Sequence, residues 1–181
     1  MATATWLASD PLETIVLATD FSETANLALD RALDLAARHE SEIALVHVVQ
    51  PELPVVATPE MLAIPPDYES LLRDASSEGL SRTAARVRNA GVRVREILEH
   101  GRPAKRIAAA ADALDADLIM IGTRGLTGFR HLLLGSVAEE VVRIAKQPVL
   151  TVHPGDERAI EPRRAAAPSD GFLRGRGARP G

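Results

Sequence analysis

The chain has 181 residues, of which 46% are apolar, with a formal net charge of −4 and an isoelectric point near 5.7. That length buries one good core and hardly two, so one domain with tails is expected. Positive charges are interleaved with acids rather than gathered into a stripe, which argues against nucleic acid as a partner.

The absence of cysteine removes disulfides and thiolate chemistry and suits a reducing compartment. The start Met-Ala-Thr-Ala-Thr-Trp-Leu lacks the charged opening and apolar centre of a signal peptide, and no apolar run approaches the ~20 residues of a membrane span. The expectation is a cytoplasmic protein with no membrane partner.

After a short extension over 1–10, five β-branched runs alternate with helical stretches, the pattern of a parallel sheet. The first run is Thr14 to Thr19. Glu23 to His39 follows, with Ala25, Ala28, Ala32 and Leu35 at steps of three and four that form an apolar stripe. The second strand is Glu42 to Val49. The connection from Gln50 to Pro66 holds five prolines and is long for an idle turn, which suggests a lid, a subunit contact or disorder.

Asp67 to Ala90 reads as the second helix, closed by Gly91 just past its end. Val92 to Leu98 is the third strand, and Pro103 opens a third helix running to about Leu114. Asp117 to Ile121 is the fourth strand. The last helix, Val137 to Lys146, carries Leu134, Val137, Val141 and Ile144 on one face and is stopped by Pro148, where the fifth strand runs to Val152. The near-continuous Val, Ile and Leu content suits strands covered on both faces. Residues 154–181 turn to Pro, Gly, Ala and Arg with too little apolar content to fold, and are expected to be a disordered tail.

Gly122-x2-Gly125-x9-Gly135-Ser136, between the fourth strand and the last helix, is the most informative motif. Glycines let a ligand approach the main chain without meeting a Cβ, and Ser136 would open a helix whose unpaired amides and dipole favour phosphate oxygens. A side chain at Gly122 or Gly125 is therefore expected to block an anion without disturbing the fold. The alternative is local: Ser136-Val-Ala-Glu139 is also a capping box, and the two glycines also suit strand-exit turns.

Asp20, just beyond the first strand, would face the same crevice if the first and fourth strands are neighbours, because ligands bind where the strand order reverses. It would accept hydrogen bonds from a base or ribose, or hold metal-bound water. Asp20-Phe-Ser-Glu23 equally reads as a cap for the first helix. No P-loop, no first-strand G-x-G-x-x-G and no paired-histidine zinc motif is present. His39, His47, His100, His131 and His153 are scattered, as befits surface or strand-end residues; among them only His131 lies in the glycine segment, with Arg124 and Arg130.

Together, Ile15-Val-Leu-Ala-Thr-Asp-Phe-Ser22, Ala44-Leu-Val-His-Val48, Gly101-Arg-Pro103, Ile119-Met-Ile-Gly-Thr-Arg-Gly125 with Gly135-Ser136, and Gln147-Pro-Val-Leu-Thr-Val152 resemble the universal stress protein family over about Pro11 to His153. The complete glycine signature resembles that of its ATP-binding branch. The resemblance implies an α/β fold with an open five-stranded parallel sheet in the order 3-2-1-4-5, helices on both faces, Rossmann-like and of the adenine nucleotide alpha hydrolase type. It also implies a homodimer, expected through the edge strand 148–152.

In that family's pattern Thr19, Asp20 and the backbone of Val48 would meet adenine and ribose. Ile121 and Gly122 would line the approach, while Gly125, Gly135, Ser136 and Val137 would hold the phosphates of ATP, with Mg²⁺ carried mainly by those phosphates. Ala18 stands where some members have proline, a local departure. The expected role is a nucleotide-dependent signalling or protective module rather than a metabolic enzyme. A slow Mg-dependent ATP hydrolase and a nucleotide-free scaffold are the alternatives.

Overall fold

The computed structural model describes residues 12–50, 67–123 and 135–154. Five strands, β1 (Thr14–Ala18), β2 (Glu42–Val49), β3 (Arg93–His100), β4 (Leu118–Gly122) and β5 (Val149–Val152), form one parallel sheet in the order β3-β2-β1-β4-β5. The helices are α1 (Glu23–His39), α2 (Tyr68–Asn89), α3 (Pro103–Ala113) and α4 (Ser136–Ile144).

Strand alternation divides the core into two layers. Ile15, Leu17, Ile43, Leu45, Leu118 and Met120 point to the side where Ala28, Leu29 and Ala32 of α1 and Leu80, Ala84 and Val87 of α2 cover them. Val16, Ala18, Ala44, Val46, Ile119 and Ile121 point to the other side, under Ala104, Ile107 and Ala111 of α3 and Ala138 and Val141 of α4. The small residues at the contact positions of α1 and α3 allow close helix–sheet approach.

Burial on both faces holds for β1, β2 and β4 but not for β3, where Arg93, Arg95, Glu99 and His100 leave a half-exposed edge, nor for β5, where Leu150 is 43% exposed. The edge position explains the difference, since an edge strand has a neighbour on one side alone. The expected apolar stripe of the last helix is also corrected. Ala138 and Val141 are buried, Val137 is half-buried and Ile144 is exposed.

Helix boundaries follow local chemistry. The Ser22 Oγ accepts from the Ala25 amide at 3.2 Å and caps α1, a contact of the kind that contributes about 1 kcal/mol. After the last residue of α2, Gly91 takes φ +78, the left-handed conformation that glycine enters at no steric cost. The connection from 51 to 66 and the tail from 155 to 181 lie outside the described residues, as do 1–11 and 124–134.

Candidate functional site

The strand order reverses between β1 and β4, the two strands from which the chain crosses to opposite sides of the sheet. Beyond their carboxyl ends lies a cleft lined by Thr19, Asp20, Val48, Ile121, Gly122, Gly135, Ser136 and Val137. The lining includes every described residue expected at the nucleotide site; His39, His100 and His153 are not part of it. Gly125, with Arg124, Arg130 and His131, lies outside the described residues.

The cleft lining is chemically of two kinds. In one part, Ala18, Val46, Val48, Pro103 and Ile107 make an apolar wall, suited to the face of a planar base. In the other, Gly135 is the N-cap of α4 in extended conformation (φ −70, ψ 151), and no side chain among the described residues caps the helix. Its first helical bond is Glu139 N to Gly135 O at 2.9 Å. The amides of Ser136, Val137 and Ala138 therefore have no partner within the helix and stand at the positive end of its dipole. The capping box expected as an alternative does not form: Ser136 is the first helical residue, not the cap, and its side chain is exposed.

Asp20 belongs to both of its readings in part. Its Oδ1 accepts from the Ser22 amide at 3.0 Å, so it steadies the entry to α1, but the cap itself is Ser22. It remains the one carboxylate on the cleft wall among the described residues. The preceding Thr19 is held at three points: its amide donates to Val46 O at 2.9 Å, its Oγ1 accepts from the Phe21 amide at 3.0 Å, and its carbonyl accepts from His47 Nδ1 at 2.8 Å.

Gly122 is required for a different reason from the one its motif suggests. Its backbone is outside the left-handed region, and a Cβ built on it would lie 2.9 Å from the carbonyl carbon and 3.0 Å from the carbonyl oxygen of Thr24. The close neighbour is the first turn of α1, so a side chain here would disturb the fold itself. The next residue, Thr123, holds the chain between elements: its amide donates to Val152 O at 2.8 Å and its carbonyl accepts from the Gly135 amide at 2.6 Å. Its Oγ1 is buried and has no hydrogen-bond partner among the described residues.

Sequence reasoning missed His47, Pro103, Ile107, Thr123 and Ala138 as cleft residues. His47, read as an ordinary strand-end residue, is placed by alternation on the α1/α2 side of β2, where its ring meets Phe21 with centroids 4.4 Å apart. A His in the last turns of the strand next to β1 was the available signal. Pro103 and Ile107 reach the cleft because α3 starts beside it, a relation that only the three-dimensional path supplies.

Among the described residues there is no group of three or more His, Cys, Asp or Glu able to hold a metal, and no helix long and apolar enough to cross a membrane.

A parallel sheet in the order β3-β2-β1-β4-β5 with helices on both faces and a cleft at its switch point defines a Rossmann-like α/β domain. Residues 11–153 match the model of the universal stress protein family, and the chain belongs to that family. Universal stress protein MJ0531 of Methanocaldococcus jannaschii is 33% identical over 142 residues, covering 76% of this chain and 80% of the relative. A universal stress protein solved in complex with cAMP is 27% identical, with TM-score 0.61 over 80% of this chain and 98% of that one. Another, from Archaeoglobus fulgidus in complex with dAMP, is 25% identical, with TM-score 0.55 over 79% of this chain and 99% of that one.

Proposed function

We propose that the cleft binds ATP, with Mg²⁺ on its phosphates, and that the protein is a cytoplasmic stress-response module whose occupied and empty states differ. The carrying observation is the pairing of an apolar wall with an uncapped helix start across one crevice. Adenine lies against Val48, Val46 and Ile107, the ribose meets Thr19 and Asp20, and phosphates take the amides of Ser136 and Val137 beside Gly135; Gly125, outside the described residues, is assigned to the phosphates by the glycine motif alone. Ile121 and Gly122 form the floor. Among the described cleft residues Asp20 is the carboxylate that fits Mg²⁺, by way of water, and phosphate oxygens supply its other ligands. The family relatives solved with cAMP and dAMP support an adenine nucleotide as the ligand class. The domain with this function is residues 11–153, and 1–10 and 154–181 are extensions.

The same proposal includes a homodimer through β5, whose free edge and exposed Leu150 invite pairing with a second copy.

Mass spectrometry of small molecules released on unfolding the purified protein, followed by calorimetric titration of the emptied protein with ATP, ADP, AMP and cAMP in Mg²⁺, tests the ligand. ATP carried through purification or bound more tightly than the monophosphates is the expected result. Preference for AMP or cAMP removes ATP as the ligand, and no binding by any of the four leaves an interaction scaffold.

A further inference from the structure

Gly79 lies inside α2, outside the cleft lining, at a buried position where glycine weakens a helix relative to alanine. The structure supplies a reason. A Cβ at Gly79 would lie 2.9 Å from both Cε2 and Cζ of Phe21. Phe21 itself has φ +64, a left-handed conformation that is uncommon for a bulky residue. Its amide is tied to Thr19 Oγ1, and its ring is stacked against the His47 ring at 4.4 Å with planes 32° apart. Because a carbonyl can only accept, His47 Nδ1 carries the proton it gives to Thr19 O at 2.8 Å. A continuous set of contacts therefore runs from the middle of α2 through Phe21 and His47 to the Thr19–Asp20 turn on the cleft wall.

We propose that Gly79 is a positioning residue for the nucleotide cleft, acting through Phe21 and His47. This inference rests on the nucleotide reading of the cleft. The bare face of α2 at Gly79 is the seat of the Phe21 ring. With the ring seated, the left-handed turn at Phe21 is held, His47 keeps its bond to Thr19, and the Thr19 and Asp20 groups stay aimed at the ligand. A methyl group at position 79 lifts the ring towards His47 and disturbs that aim, although alanine is the better helix former.

The experiment is a double-mutant cycle on the full chain with Gly79→Ala, Phe21→Gly and the pair. Phe21→Gly keeps the left-handed backbone without strain and removes the ring, so it also relieves the clash should Gly79→Ala alone fold poorly. ATP affinity is read by calorimetry, thermal stability by melting, and the His47 ring proton by NMR. Gly79→Ala is expected to weaken ATP roughly tenfold, as coupled neighbours do, and to shift the His47 Nδ1–H signal. In the Phe21→Gly background, adding Gly79→Ala should cost no further affinity. ATP affinity unchanged in Gly79→Ala, or losses that add fully in the pair, would overturn the proposal. Failure of the unaltered protein to bind ATP would instead remove the nucleotide reading, and the positioning role with it.

Discussion

The Cβ that Gly122 lacks would come within 2.9 Å of the Thr24 carbonyl carbon, at the point where β4 ends beside the first turn of α1. The obstructing atoms are backbone, in a helical turn already fixed by the Ser22 cap, so they cannot rotate away as a side chain would. Gly122→Ala should therefore destabilise the protein by roughly 1–3 kcal/mol, the usual cost of overpacking. Urea unfolding measures it. A stability equal to the parent's would return Gly122 to the role of a ligand-facing glycine.

Ser136 offers a cleaner probe of the anion end, because it opens α4 and its side chain is exposed. An aspartate there complements the helix dipole and should raise stability by about 0.3–1 kcal/mol. The same carboxylate repels phosphate, so Ser136→Asp should weaken ATP by more than about tenfold. Melting temperature and calorimetric affinity then move in opposite directions. If the variant binds ATP as the parent does, the phosphates lie elsewhere.

Most of the sheet was legible because β1, β2 and β4 are buried on both faces, which writes short runs dominated by Val, Ile and Leu into the sequence. The start of α4 was legible because glycine and serine are both favoured at helix N-termini, where they stand as Gly135 and Ser136. The site was not legible where a contact joins distant segments. Gly122 answers to Thr24, and Gly79 to Phe21, and neither partner is marked by spacing. The stripe of α4 misled for a related reason: periodicity identifies an apolar face but not where the sheet stops. Val142, Ile144 and Leu150, on α4 and β5 at the sheet's end, remain exposed.

Leu150 provides the test of assembly. It is 43% exposed on an edge strand of four residues, whereas Val149 packs into the core and is a poorer choice for a probe. Leu150→Arg places a charge in any edge-to-edge pairing at small cost to the protomer. Light scattering should report a dimer for the parent and a monomer for this variant. A monomeric parent disposes of the β5 interface.

A pH dependence is expected from the contact between α2 and β3. Glu96 accepts from Ser81 Oγ at 2.9 Å and pairs with Arg88. The Arg88 hydrogen bond holds its carboxyl below the usual range, with Ser81 adding to the effect and partial burial opposing it. A depressed carboxylate contributes stability above its unfolded value, about 4.3, and loses it as pH falls through the folded value. With Arg88 54% exposed, solvent screening limits the contribution to at most about 1 kcal/mol. Glu96→Gln should thus be slightly less stable than the parent at neutral pH, and the gap should close in acid below about pH 4. A gap independent of pH would mean that packing, not charge, accounts for it.

Turnover of bound ATP is expected to be slow enough for occupancy to serve as the signal. No lysine or arginine is among the described residues lining the cleft, and Asp20, its one carboxylate there, is engaged by the Ser22 amide. The anion end stabilises charge through amides that meet reactant and transition state alike, which aids binding more than rate. An arginine supplied to a phosphoryl-transfer site is worth ~10³ to 10⁵ in rate, so the described lining, which holds none, predicts a rate far below the ~10 s⁻¹ of dedicated enzymes. Phosphate release under saturating Mg-ATP measures this, with Ser136→Asp as the control for contaminating activity. A rate of about ten per second that disappears in that variant would make the protein an ATP hydrolase, since the activity would then depend on the α4 amides and compete with any role as a sensor.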